Sequence, residues 1–138
     1  MVQDATVPAL RGTFDRILVD APCSGLGVIR RNPETKWRVL PGEIAELAAR
    51  QRDLLDQYAA LVRVGGRLIY ATCSLLPEEN EGVLRSFMQA HQDFQMVSLK
   101  EILGRERALR MGDGETLRLL PHRHDTDGFF AAVLRRIS

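Results

Sequence analysis

The chain has 138 residues, enough for one compact domain, and 45% of them are apolar, which suffices for a buried core. With 19 basic and 18 acidic residues the formal charge is +1, so any surface that meets a polyanion must be a local one. No apolar run approaches the roughly 18 residues of a membrane span, the start MVQDATVPALRG lacks the basic and apolar regions of a signal peptide, and two cysteines cannot make a disulfide framework. The composition predicts a reduced, cytoplasmic domain.

The first predicted strand is Phe14–Asp20, where Ile17, Leu18 and Val19 are contiguous, as in a strand buried on both faces of a parallel sheet. Ala21-Pro22-Cys23-Ser24-Gly25-Leu26-Gly27 cannot continue it comfortably and reads as a loop. Over residues 42–64 the side chains of Ile44, Leu47, Ala48, Leu54, Leu55, Tyr58, Leu61 and Val62 form the stripe of a helix packed on a sheet. Gly65-Gly66 is placed as its stop, because glycine accepts the left-handed cap conformation. A second buried strand covers residues 68–72 and runs straight into Cys73.

Pro77-Glu78-Glu79-Asn80-Glu81 has proline at a helix start and acids in the first turn, where the helix dipole favours them. Val83, Leu84, Phe87 and Met88 supply that helix's buried face. Residues 94–99 form a third strand, residues 100–114 an irregular connection, and Leu117 to Leu120 a short ambiguous stretch. Asp127-Gly128 turns the chain into a last strand over residues 129–134, with Phe129 and Phe130 in the core. This alternation predicts an α/β sheet, at least partly parallel. Ligands bind such sheets beyond the carboxyl ends of the strands, and both cysteines sit there.

A cysteine is more often a small buried hydrophobe than a nucleophile. Here, however, Cys23 and Cys73 are flanked by small and turn-forming residues, and the loops that carry them are expected to face one another. A redox couple is the second reading, although the two are 50 residues apart, unlike a local Cys-x-x-Cys motif. A metal pair is the third, and His91, His122 and His124 show no matching spacing. His122 and His124 read as surface residues and Asp15 as structural.

Asp20-Ala21-Pro22-Cys23-Ser24-Gly25 and Thr72-Cys73-Ser74, separated by one helix, resemble the paired signatures of the RNA 5-methylcytosine methyltransferase family. The segment Gly27-Val28-Ile29-Arg30-Arg31-Asn32-Pro33-Glu34-Thr35-Lys36-Trp37 is similar to the bacterial Sun branch, which modifies 16S ribosomal RNA. Leu76-Pro77-Glu78-Glu79-Asn80-Glu81 and Asp127-Gly128-Phe129-Phe130 resemble the family's later motifs, so the likeness runs from about Asp4 to the C-terminus.

The resemblance implies a division of labour. Cys73 attacks C6 of cytosine, Cys23 assists release of the methylated base, and Asp20 hydrogen-bonds the base near N3 and N4 and approaches the cofactor. Asp4 matches the position that contacts the adenine of S-adenosylmethionine. Arg30, Arg31, Lys36 and Arg38, four cations in the loop after the Cys23 motif, are expected to meet RNA phosphates, with 16S rRNA the implied substrate. Trp37 is expected to anchor that loop.

The family's glycine-rich donor loop and the ribose-binding acid have no counterpart upstream of Asp4. The expected fold is therefore the C-terminal half of a Rossmann-like S-adenosylmethionine-dependent methyltransferase sheet, with an antiparallel final strand. All 138 residues belong to that part of the catalytic domain, and by themselves they are expected to be inactive. The unpaired first strand predicts self-association through a sheet edge. The alternative is a non-catalytic RNA-binding or scaffolding remnant that keeps the motifs.

Overall fold

The computed structural model describes residues 12–38 and 40–138. β1 (Phe14–Asp20) is followed by a single 3-10 turn, the four-residue α1 (Thr35–Arg38) and the long α2 (Pro41–Ala59), which leads into β2 (Val62–Thr72). Then come α3 (Glu81–Ala90), β3 (Phe94–Val97), two short helices α4 (Leu99–Leu103) and α5 (Arg105–Met111), β4 (Leu117–Leu119), α6 (Pro121–His124) and β5 (Phe129–Arg136). The sheet order is β1-β2-β5-β3, with β4 beside the first residues of β5. β1 and β2 are parallel, and β5 runs antiparallel to β2, β3 and β4. The partly parallel α/β class with an antiparallel final strand is the one the sequence led us to expect.

Alternation along the strands decides where the core lies. Leu68 and Tyr70 on β2 are fully buried, in line with Val19 on β1 and with Phe130, Ala132 and Leu134 on β5. Leu54 and Leu55 from α2, and Val83, Leu84 and Phe87 from α3, cover this face. Each large apolar side chain contributes about 1.5–3 kcal/mol on full burial, against about 0–1 kcal/mol for an exposed ion pair. This layer, and not the surface charge pairs, fastens the helices to the sheet. No helix among the described residues is long and apolar enough to cross a membrane.

The structure corrects the sequence reading in several places. β1 is not buried on both faces: it pairs with β2 alone among the described strands, and Leu18 is 65% exposed. The long helix ends at Ala59, and β2 already begins at Val62, so Gly65-Gly66 is no helix stop. Both glycines sit in a bulge inside β2, where the β1 partner advances from Phe14 to Arg16 while β2 advances from Val62 to Arg67. Gly65 has φ +79°, and a Cβ on Gly66 would lie 2.8 Å from the Arg63 carbonyl oxygen. The apolar stripe misled because Leu61 and Val62 suit a strand start as well as a last helical turn.

The later elements shift too. α3 begins at Glu81, leaving Pro77 to Asn80 as turns before it. The connection over residues 100–114 is ordered into α4 and α5, because Ser98 Oγ caps the first by accepting from the Lys100 N–H at 3.2 Å and Leu99 and Ala108 are buried. The third strand stops at Val97 for the same reason. Phe130 is core as expected, whereas Phe129 points to the other face of β5 and is half-buried.

Candidate functional site

Because β1 and β2 are parallel neighbours, the loops that leave Asp20 and Thr72 emerge side by side. Cys23 and Cys73 ride these loops, and their sulfurs lie 3.2 Å apart. That is a hydrogen-bond distance for thiols and far longer than a disulfide bond of about 2.05 Å. Both are free and half-buried, and either can donate to the other. The structure thus brings together the two cysteines that the sequence separates by an entire helix.

Backbone contacts fix the loops. The Ala21 N–H donates to the Ala71 carbonyl at 2.9 Å, the Gly27 N–H to the Cys73 carbonyl at 2.8 Å, and the Gly128 N–H to the Gly27 carbonyl at 2.7 Å. Gly27 has no space for a side chain: a Cβ there would lie 2.3 Å from the Gly128 oxygen and 2.6 Å from the Cys73 oxygen. The turn before β5 therefore packs directly on both cysteine loops.

A buried polar cluster joins the same loops through the serine that follows each cysteine. Glu79 is fully buried. Its Oε1 accepts the Ser24 N–H at 2.8 Å and a Gln51 amide hydrogen at 3.1 Å, and its Oε2 accepts the Ser24 hydroxyl at 2.5 Å and the Ser74 hydroxyl. Gln51 also donates to the Pro22 carbonyl at 2.9 Å. Beside it, Thr72 Oγ1 donates to Asn80 Oδ1 at 2.6 Å, and Asn80 Nδ2 donates to the Ser74 carbonyl at 2.9 Å. The Tyr70 hydroxyl closes the cluster by donating to the Glu79 carbonyl at 2.6 Å. A carboxyl group without partners in such a place costs several kcal/mol, so these donors are what make Glu79 tolerable there.

The sequence reading took Glu79 for a helix-dipole acid and so missed it. One signal was present: Glu79, Val83 and Phe87 are spaced by four, which puts the carboxyl group on the buried stripe of α3 extended one turn upstream. Burial pushes the Cys23 thiol well above its ordinary range, and its hydrogen bond with Cys73 adds to this, while a backbone hydrogen bond at Gly25 works against it. Burial likewise pushes the Tyr70 phenol up, with Glu79 and Cys23 nearby adding to it.

The other predicted residues are less gathered. Asp20 is exposed at the carboxyl end of β1 and has no hydrogen bond or ion pair among the described residues. Arg30 pairs with Asp125 at 2.7 Å and Arg31 with Asp127, all on the loop side near Gly128. Lys36 Nζ lies 4.8 Å from the Trp37 ring centroid. Trp37 is 78% exposed, so it does not anchor its loop as expected. Asp4 lies outside the described residues, as does the side chain of Arg38. Asp15 pairs with Arg63 on the surface. His122 is exposed, and His124 is structural: its Nδ1 accepts the Leu120 N–H at 2.9 Å and its Nε2 lies 2.7 Å from the Arg110 carbonyl.

The chain is similar to known proteins. The family model described as 16S rRNA methyltransferase RsmB/F matches residues 2–135. Ribosomal RNA small subunit methyltransferase B of Sodalis glossinidius is 46% identical over 123 residues, which is 88% of this chain and 26% of that protein. The protein of the same name from Yersinia enterocolitica is 42% identical over 123 residues, again 88% of this chain and 26% of that protein. Among solved structures, NSun6 from Pyrococcus horikoshii with SFG is similar at 32% identity and a TM-score of 0.79, covering 100% of this chain and 34% of that one. The chain spans about a quarter of the length of these curated relatives.

Proposed function

The chain belongs to the 16S rRNA methyltransferase RsmB/F family, and from that premise we propose that it carries the cysteine chemistry of an S-adenosylmethionine-dependent RNA cytosine-C5 methyltransferase. The observation that carries this reading is the pair of free thiols 3.2 Å apart at the carboxyl ends of two parallel strands. In this reading the 138 residues are the C-terminal part of a catalytic domain, inactive by themselves, that in the gene-encoded protein contributes to methylation of 16S rRNA in the cytoplasm.

C5 of cytosine is a poor nucleophile within an aromatic ring. Cys73, its S–H proton released to solvent, adds to C6 as the thiolate, and the electron pair of the C5–C6 double bond becomes available at C5. Asp20 hydrogen-bonds the base near N3 and N4 and steadies the charge that develops there. S-adenosylmethionine, when bound, supplies the electrophilic methyl group. C5 then loses its proton to solvent, and the C6–sulfur electron pair returns to Cys73. Cys23, within hydrogen-bond distance, donates its S–H to the departing Cys73 sulfur. The distance between the sulfurs supports their acting as a pair, and the division of labour between them follows the family resemblance.

For the donor, the exposed carboxylate of Asp20 at a strand end fits one side of a binding cleft, and Asp4 is proposed at the adenine. The relative from Pyrococcus horikoshii, which carries the S-adenosylmethionine analogue SFG, supports the choice of donor. Arg30, Arg31 and Lys36 are proposed to meet RNA phosphates. An exposed ion pair such as that of Arg30 is worth about 0–1 kcal/mol, so a phosphate can take the place of Asp125 at little cost. Self-association through β1 belongs to the same proposal.

The test is bisulfite mapping of rRNA from cells with and without the gene, where one protected cytosine in 16S rRNA is expected to disappear with the gene. In the gene-encoded protein Cys73→Ser is expected to abolish methylation, and Cys23→Ala to accumulate a covalent protein–RNA adduct on denaturing gels. Accumulation of the adduct by Cys73→Ala, with free turnover by Cys23→Ala, would reverse the assignment.

A further inference from the structure

The cysteine loops carry the same dipeptide, Cys23-Ser24 and Cys73-Ser74, and both serines donate their hydroxyl hydrogens to one atom, Glu79 Oε2. The two hydroxyl oxygens are themselves 3.3 Å apart. Oε1 takes a third and a fourth donor, the Ser24 N–H and the Gln51 amide, and Gln51 reaches on to the Pro22 carbonyl next to Cys23. One carboxyl group therefore ties α2 and the loops after β1 and β2 together, one residue away from each sulfur. From this we infer that Glu79 is a positioning residue of the cysteine pair: it sets the separation and mutual aim of the two sulfurs by holding Ser24 and Ser74 on one carboxylate oxygen. The inference deepens the reading of Cys73 and Cys23 given above and rests on it for its catalytic meaning, although the geometry it predicts does not.

The chemistry makes the requirement specific. A nucleophile and a partner that must exchange a hydrogen bond during each turnover need a fixed sulfur–sulfur distance, and Glu79 adds ties at Ser24 and Ser74 to the backbone bonds Ala21–Ala71 and Gly27–Cys73 that already join the loops. Neither serine bonds cytosine in this scheme, because both hydroxyl hydrogens are spent on Glu79. Aspartate is one methylene too short to reach all the donors. Glutamine keeps the length and one carbonyl oxygen for the Ser24 N–H and Gln51, and its amide can donate to the two hydroxyls, which then accept.

The experiment measures sulfur proximity in the folded chain without any need for methyl transfer. Diamide oxidises two thiols to a disulfide and is itself reduced to the hydrazine. The rate at which Cys23 and Cys73 become linked, read as the disulfide-joined peptide pair by mass spectrometry, reports how often the sulfurs meet. Rates are compared well below each variant's melting temperature, with circular dichroism confirming the fold. Glu79→Ala and Glu79→Asp are expected to slow the linkage about tenfold, the loss that goes with one buried hydrogen-bonded partner, and Glu79→Gln to recover most of the rate. Should Glu79→Ala fail to fold, the double variant Ser24→Ala with Ser74→Ala keeps the carboxyl group and is expected to show the same slowing.

A folded Glu79→Ala or double-serine variant that links at the parent rate overturns the inference, whatever its melting temperature. In the gene-encoded protein the matching signature is a fall in kcat with KM for RNA unchanged. If the parent protein proves not to methylate cytosine but Glu79→Ala still slows the linkage, the functional reading fails and the positioning role stands.

Discussion

At the scale of the residue, two protons near the sulfurs set the pH behaviour of the fold. Cys23 and Tyr70 both lose protons at higher pH when folded than their ordinary values of 9.0 and 10.0, in each case chiefly because burial disfavours the anion. The folded chain therefore holds protons that the unfolded chain releases once the pH passes these ordinary values. Their contribution to stability is fully present below about pH 9 and is lost progressively as the pH rises above it. Urea unfolding at stepped pH from neutrality upward is expected to give a flat midpoint to about pH 9 and a declining one beyond. Tyr70→Phe, which removes the phenol but keeps the ring, is expected to make the decline shallower; an unchanged slope would show that Tyr70 does not take part. Glu79 shows why this scale was only partly legible in the sequence. Its residue type and its place on the buried stripe were visible, but a carboxyl group is read as solvated until its donors are known. Those donors come from Ser24, Gln51 and Ser74, three separate segments.

At the scale of the element, β1 is the piece whose surroundings matter most. Its alternation places Ile17 and Val19 on the helix-covered face and Leu18 on the other, where 65% of it is exposed, and Phe14 is 36% exposed. Among the described strands β1 is an edge, and an edge strand with an open apolar face is a template for pairing with another chain. Sedimentation equilibrium of the 138-residue chain is expected to show concentration-dependent association, and Leu18→Lys to return it to a monomer, since a lysine on an edge discourages pairing. A parent chain that stays monomeric at high concentration would remove this prediction. The long strands and the helices α2 and α3 were legible, whereas the short helices α1, α4, α5 and α6 were not. The ends of the long elements were not legible either, and the reason is local: the stretch Leu61 to Gly66 satisfies a helical stripe, a glycine stop and a strand start equally well. Only the pairing of Phe14 with Val62 and of Arg16 with Arg67 selects the bulged strand.

At the scale of the whole molecule, the cysteine side of the site is well furnished, whereas the proposed donor side offers Asp20 alone among the described residues. We expect calorimetric titration of the chain with S-adenosylmethionine to give weak or undetectable heat, and tight stoichiometric binding would overturn that expectation. The sequence by itself determined the α/β alternation, the strand-end position of both cysteines and the family likeness. Each of these is written in short contiguous motifs whose residue types limit the local backbone. The tertiary structure alone decided three further things: the 3.2 Å meeting of the sulfurs, the open face of β1, and the convergence of two serines and a glutamine on Glu79. These depend on which strands become neighbours and on register. Such long-range pairings leave no periodic trace in any one segment, because the residues that meet belong to different segments.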